Sequence, residues 1–188
     1  MKLKTIIRDF SIEKINEEVK ILFEFPVKIP SWTDKNLDTS ITNLQFTKTV
    51  VEKGKFIEEF QNYKLYRYSS GKSTFDCFIE GEFTIAFFSY IKNGKQMEEQ
   101  KVWQYPTKIG LCREILFNLY FKEFDSVISD MVHSDLGGKY WEKNLEEAEK
   151  RGYKCHIYDT KTGTKHPLDK SKMDDYYKSP NIRLLIEK

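Results

Sequence analysis

From Phe83 to Ile91 the chain is apolar at both parities, with Phe83, Ile85 and Phe87 on one side and Ala86, Phe88 and Tyr90 on the other. Successive side chains of a strand point to opposite faces, so a strand of this kind has to be covered on both and belongs in the middle of a sheet. Directly after it, Asn93-Gly94 offers two residues that accept φ > 0, the requirement of a tight hairpin turn, and Lys95 to Tyr105 reads as the returning partner.

The rest is built outward from that hairpin. Upstream, Tyr63 to Ser69 and Ser73 to Ile79 alternate around a turn at Ser70-Gly71, and Gly81 opens the central strand. Downstream, Pro106-Thr107 starts a helix to about Phe121 that gathers Cys112, Ile115, Leu116, Leu119 and Tyr120 on one side. Asp125 to Asp130 is too short for a helix and fits a buried parallel strand. Gly137 to Arg151, with Trp141, Leu145 and Ala148 in register, is a second amphipathic helix stopped by Gly152. Strands at Tyr153 to Tyr158 and Ile182 to Ile186 follow, with a turn at Lys161-Thr162-Gly163. The fold class is therefore α+β, with a mixed sheet whose antiparallel meander runs into a β-α-β-α-β half.

The first 62 residues read differently. Lys2 to Ile7 suggests a strand, Ser11 caps a helix that Pro26 ends, and Pro30 to Ser40 is an exposed loop. Ile41, Leu44, Val50, Val51, Phe56, Ile57 and Phe60 suggest helical structure interrupted near Gly54. No repeat or linker divides the chain, so residues 1–188 form one domain, mostly helical over 1–62 and sheet over 63–188.

Composition narrows the function. The 31 Lys and Arg against 29 Asp and Glu leave a net charge of +2, which excludes a nucleic-acid-binding tail as the whole story. Aromatic residues reach 15%, enough bulky apolar surface for a real core. No stretch approaches the roughly 18 to 20 apolar residues of a membrane span, and the first ten residues lack a secretory apolar stretch; a cytoplasmic place is expected. Cys77, Cys112 and Cys155 form no CxxC pair, and His133, His156 and His166 are scattered, so neither a disulfide framework nor a metal site is indicated.

The order of elements, together with Thr107-Lys108-Ile109-Gly110-Leu111-Cys112 after the hairpin, resembles the GCN5-related N-acetyltransferase (GNAT) fold, a three-layer architecture. The family carries Arg/Gln-x-x-Gly-x-Gly/Ala there; Gly110 matches, Cys112 is a small substitute, and Thr107 replaces the Arg/Gln. Ile128-Ser129-Asp130, Gly137-Gly138-Lys139-Tyr140-Trp141-Glu142, Tyr158 to Gly163 and Tyr176-Tyr177 are similar to divergent GNAT-like proteins encoded by bacteriophages. The resemblance covers roughly residues 63–188 and implies a phage-encoded acyltransferase in the host cytoplasm, moving an acetyl or other acyl group from coenzyme A to an amine. It implies acetyl-CoA as cofactor, its pyrophosphate held by Thr107, Lys108, Gly110, Leu111, Cys112 and Arg113, where a helix N-terminus presents unpaired amides. The pantetheine arm would bind backbone groups of Val102 and Gln104 in a splay between strands 101–105 and 126–129. Where many members place a Tyr general acid, this chain has Trp141, which has no proton to give a thiolate; Tyr140 is one helical step, about 100°, away.

The catalytic candidates are thus Asp130, His133 and Tyr140. Asp130 at a strand end could take a proton from an attacking amine, or simply be solvated or cap a helix. His133, in a loop, has an unperturbed pKa near 6.5 suited to base work, or is idle. Cys112 is either a thiol activated by a helix N-terminus or a small core residue. Tyr63-Lys64-Leu65-Tyr66-Arg67-Tyr68 reads as a base-stacking surface or as plain strand alternation. Two other functions stay open: a catalytically inactive GNAT-fold binding protein that disables a host or defence factor, and a DNA-base-modifying relative.

Overall fold

A computed structural model describes residues 39–105, 107–130 and 135–188. The expected strand at Lys2, the helix at Ser11, most of the Pro30 loop, Pro106 and His133 lie outside the described residues. The chain divides into compact units at residues 1–46 and 47–188; the second holds the sheet.

Helix α1 spans Thr39–Lys53, so helix already replaces the expected loop at Thr39 and Ser40. Nine strands follow in one mixed sheet: β1 Lys55–Phe60, β2 Tyr63–Ser70, β3 Ser73–Glu80, β4 Phe83–Asn93, β5 Gln96–Gln104, β6 Ser126–Ile128, β7 Lys154–Asp159, β8 Thr164–Pro167 and β9 Ile182–Glu187. Their spatial order is β1-β2-β3-β4-β5-β6-β9-β7-β8. The first five form an antiparallel meander, β6 joins β5 in parallel, and β9 returns antiparallel between β6 and β7. This is the α+β arrangement the sequence pattern implied.

Several boundaries differ. Phe56 to Phe60 is strand rather than helix: α1 stops at Lys53, and Gly54 donates its N–H to the Val50 carbonyl at 2.7 Å. A Cβ at Gly54 would stand 2.5 Å from that carbonyl oxygen, so the stop needs a residue without one. The β4–β5 turn has positive φ at Gly94 alone (62°), not at both Asn93 and Gly94, because Asn93 still pairs with Gln96 in the ladder. The helix expected from Pro106-Thr107 begins at Leu111 instead. It runs Leu111–Ile115, continues as a π-helical segment Leu116–Tyr120 and ends with Phe121–Glu123; together these are α2. Helix α3 is Asp135–Lys150. The sequence reading missed β8, a short 3-10 turn at Lys170–Lys172 and helix α4, Met173–Lys178.

Helices α2 and α3 lie on one face of the sheet. Phe88 and Tyr90 of β4 meet Tyr120, and Tyr90 also meets Phe124, in edge-to-face ring contacts, while Phe78 of β3 packs edge-on against Phe88. Trp141, Leu145 and Ala148 of α3 pack into the same buried cluster with Ile157, Leu184 and Ile186. A charged group sits inside this core. Asp76 is fully buried and accepts from Arg67 Nε (2.8 Å) and Nη2 (2.9 Å) and from the hydroxyls of Tyr90 (3.1 Å) and Tyr120 (2.9 Å). Four donors offset the loss of hydration that would otherwise forbid a buried carboxylate.

Candidate active site

Strands β5 and β6 part company early. Their parallel pairing holds at Gln96 with Ser126, Met97 with Val127 and Glu98 with Ile128, and goes no further. At the same level β5 bulges: Tyr90 of β4 faces Glu99 and Ser89 faces Lys101, leaving Gln100 as the extra residue. A bulge bends its strand and sharpens the twist, so β5 turns aside where β6 leaves it. Gln100 is anchored on the opposite face by the hydroxyls of Ser73 (2.9 Å) and Ser89 (3.1 Å). Ser129, just past β6, stays with β9 through Ser129 N to Leu184 O (2.8 Å) and Leu184 N to Ser129 Oγ (2.9 Å).

Beyond the bulge, Tyr105 donates its N–H to Ile85 of β4 at 2.7 Å. Backbone groups in an antiparallel ladder alternate in direction, so those of Val102 and Gln104 face away from β4, toward the side β6 has vacated. The result is a wedge between two diverging strands, with main-chain amide and carbonyl groups along one wall.

At its vertex stands Glu99, 4% exposed. Its two oxygens accept from the Tyr140 hydroxyl (3.2 Å) and the Trp141 indole Nε1 (3.0 Å), both on α3. Burial pushes the Glu99 carboxyl up to about 8; the two α3 donors pull it down, and Asp130 adds a like charge that raises it. Trp141 thus supports Glu99. The Tyr140 hydroxyl is also driven well above its ordinary value, by burial first and then by Glu99. Asn144, one turn further along α3, is fully buried and lies beside that hydroxyl, yet neither of its amide atoms meets hydrogen-bond geometry with a described residue.

The mouth of the wedge is formed by residues 107–113. Gly110 is left-handed at φ 86° and precedes the first turn of α2. Several of the expected phosphate-binding groups are already engaged there. Gln104 Oε1 accepts the Cys112 N–H at 3.0 Å, and the Leu111 N–H goes to Lys108 O at 3.1 Å. Lys108 pairs with Glu80 at 2.8 Å and lies over the Tyr63 ring. Thr107 is exposed, Leu111 is buried in the core, and the Arg113 guanidinium lies against Gly110. The Cys112 thiol is buried, donates to Trp103 O at 3.4 Å, and is raised well above its ordinary pKa by burial and by Glu99, so it is a core thiol.

Structure therefore brings Tyr140, Cys112 and Asp130 around Glu99, and sets Val102 and Gln104 along the adjoining wall. The residue that sequence reasoning missed is Glu99. A signal was present: Met97 and Glu99 share a face by alternation, so a carboxylate falls on the covered face of an interior strand. The Tyr63 to Tyr68 run splits between faces, with Arg67 turned inward onto Asp76. Among the described residues no group of side chains could hold a metal ion, and no helix is long and apolar enough to cross a membrane.

No family model and no curated protein matches the chain. Some solved structures are similar. A putative GNAT-family acetyltransferase from Bacteroides thetaiotaomicron is 12% identical at a TM-score of 0.39, over 79% of this chain and 82% of that one. The diaminobutyrate acetyltransferase EctA from Paenibacillus lautus, in complex with its substrate and coenzyme A, is 12% identical at 0.39, over 60% and 69%. A GNAT-family acetyltransferase from Elizabethkingia anophelis with acetyl-CoA bound is 10% identical at 0.37, over 68% and 97%. Likenesses this faint say nothing of substrate or chemistry.

Proposed function

We propose that the protein is a GNAT-like acyltransferase that moves an acetyl or other acyl group from coenzyme A to an amine. One observation carries the reading: the parallel pairing of β5 and β6 ends after Glu98 and Ile128, opening a wedge with Glu99 at its vertex. Main-chain groups of Val102 and Gln104 suit the amides of a long thin carrier, which supplies an activated acyl thioester when bound. Glu99, with a pKa of about 8, is poised to take the proton an amine loses as it attacks the acyl carbon and the carbon–sulfur bond breaks. Asp130 and Tyr140 tune Glu99, and His133 is a further proton carrier. A phage origin and a place in the host cytoplasm belong to this reading through the sequence resemblance.

Calorimetric titration with acetyl-CoA tests it. Saturable binding is expected, weakened in Val102→Pro, which removes an N–H facing the wedge and spares the β4 ladder. Absence of heat at millimolar acetyl-CoA from folded protein would overturn the proposal.

The engaged Cys112 N–H and Lys108 leave fewer groups for a pyrophosphate, which favours a second reading: a catalytically inactive GNAT-fold protein that binds a host factor. That reading predicts a stoichiometric partner from host lysate together with no response to acetyl-CoA.

A further inference from the structure

On the same face of the sheet, at the β1–β2 edge, Ile57, Glu58, Leu65, Arg67, Leu119, Lys122 and Glu123 line a cavity of about 240 Å³ that is half open to solvent. Two irregularities shape it. The β1–β2 register shifts between Phe56 and Glu58, so Ile57 is the extra residue of a bulge, and Leu119 belongs to the π-helical segment of α2. Both devices displace side chains from their regular directions, and both recur at binding sites.

The charges of the cavity fall into two groups. Arg67 and Glu123 are closed on themselves: Arg67 is clamped by Asp76 and pairs with Glu123 at 3.1 Å, and Glu123 also holds Lys92 at 2.7 Å. Glu58 and Lys122 are different. They are exposed, of opposite sign and line the same cavity, yet neither makes an ion pair with the other or with any described residue. A carboxylate and an ammonium facing one space without meeting leave room for a molecule that carries both charges. The apolar part of the lining is Leu65, Leu119 and Ile57. The volume lies below the roughly 300–1,000 Å³ typical of drug-sized ligands, so the occupant is smaller.

We propose that this cavity binds a small zwitterion, an α-amino acid with an aliphatic side chain. Its ammonium is held by Glu58, its carboxylate by Lys122, and its side chain rests on Leu65 and Leu119. Each half of such a ligand meets one exposed charge, and an exposed pair alone is weak. Joining both ends on one short molecule makes the second contact intramolecular, so the zwitterion binds much more tightly than either half. The site is separate from the β5–β6 wedge and does not depend on acyl transfer.

The test is calorimetric titration of the full chain with L-valine, L-leucine and L-methionine, and with 3-methylbutylamine and 4-methylpentanoate, which carry one charge each. At least one amino acid is expected to bind saturably, and both single-charge compounds about tenfold more weakly, a difference of about 1.4 kcal/mol. Glu58→Gln and Lys122→Gln, both at exposed positions that bear little on folding, are each expected to lower the affinity about tenfold with the thermal midpoint unchanged. No heat from any of the three amino acids up to about 20 mM, equal binding of a single-charge compound, or unaltered binding in both variants would overturn the proposal.

Discussion

Replacing Glu99 by Gln separates the effect of its proton from the effect of its shape. The carboxyl titrates near 8 in the folded chain, mainly through burial, against an ordinary value of 4.5. A raised pKa means that between these values the native state holds a proton the unfolded state has lost. Stability is therefore full below about 4.5 and declines as pH rises toward 8, by about 1.4 kcal/mol per pH unit. Across the window of 8 − 4.5 the loss is on the order of 5 kcal/mol, a large part of the stability of an ordinary domain. A Gln has nearly the same volume and no titration. At pH 5, where Glu99 is neutral, wild type and Glu99→Gln should differ by about 1 kcal/mol or less. At pH 9 the variant should be the more stable by several kcal/mol. Urea unfolding of both proteins at unit steps from pH 5 to 9 measures the difference, with unchanged m-values showing that unfolding exposes the same surface. If the difference instead moves in favour of wild type as pH rises, Glu99 is ionised at neutral pH and held by Tyr140 and Trp141 as an anion, and the reasoning fails.

Other perturbations probe the same geometry. Trp141→Phe removes a hydrogen bond that favours the Glu99 carboxylate, so the alkaline midpoint of any acyl-transfer rate should move above about 8; an unmoved or lowered midpoint would separate Glu99 from the rate. Asp76→Asn leaves Arg67 without its buried partner and should cost about 3–5 kcal/mol by urea unfolding; a loss below 1 kcal/mol would show that the network is not closed as described. Thiol labelling of native protein should reach half-buried Cys155 and spare Cys77 and Cys112, whose burial raises their pKa values; rapid native labelling of Cys112 would contradict its place in the core. Deleting Gln100 leaves every other β4–β5 pair in register, since Glu99 and Lys101 already face Tyr90 and Ser89; coenzyme A binding should vanish while the fold persists, and retained binding would detach the wedge from the bulge.

Much of the sheet was legible because period-two alternation and turn glycines are local signals. Gly71, Gly81 and Gly94 each follow a strand and each has positive φ, so the β2–β5 meander could be read within a residue or two. Failures occurred where local signals conflict. The interruption at Gly54 was legible, but Phe56, Ile57 and Phe60 keep a helix-like spacing beyond it, and nothing in that spacing reveals that the chain continues as strand. Thr164 to Pro167 is an exposed edge strand, without the apolar side that marks an inner one. The π-helical segment Leu116–Tyr120, whose Tyr120 ring packs on Phe88 and Tyr90 of β4, has no local signature in the sequence.

The candidate site was legible only as a wall, and the reason is positional. Val102 and Gln104 were inferred from their place after a hairpin, which strand order alone determines. Glu99 becomes exceptional only once three distant facts combine: β6 covers the edge of β5 as far as Glu98, Gln100 takes up the bulge, and α3 sets Tyr140 and Trp141 over the carboxylate. Its neighbour Glu98 has the same side chain and an ordinary setting, paired with Arg183 of β9 at 2.5 Å. Two adjacent glutamates thus differ by a half-turn of the strand. One joins β5 to β9 in an ion pair past the intervening β6, while the other is a buried acid able to exchange its proton near neutral pH.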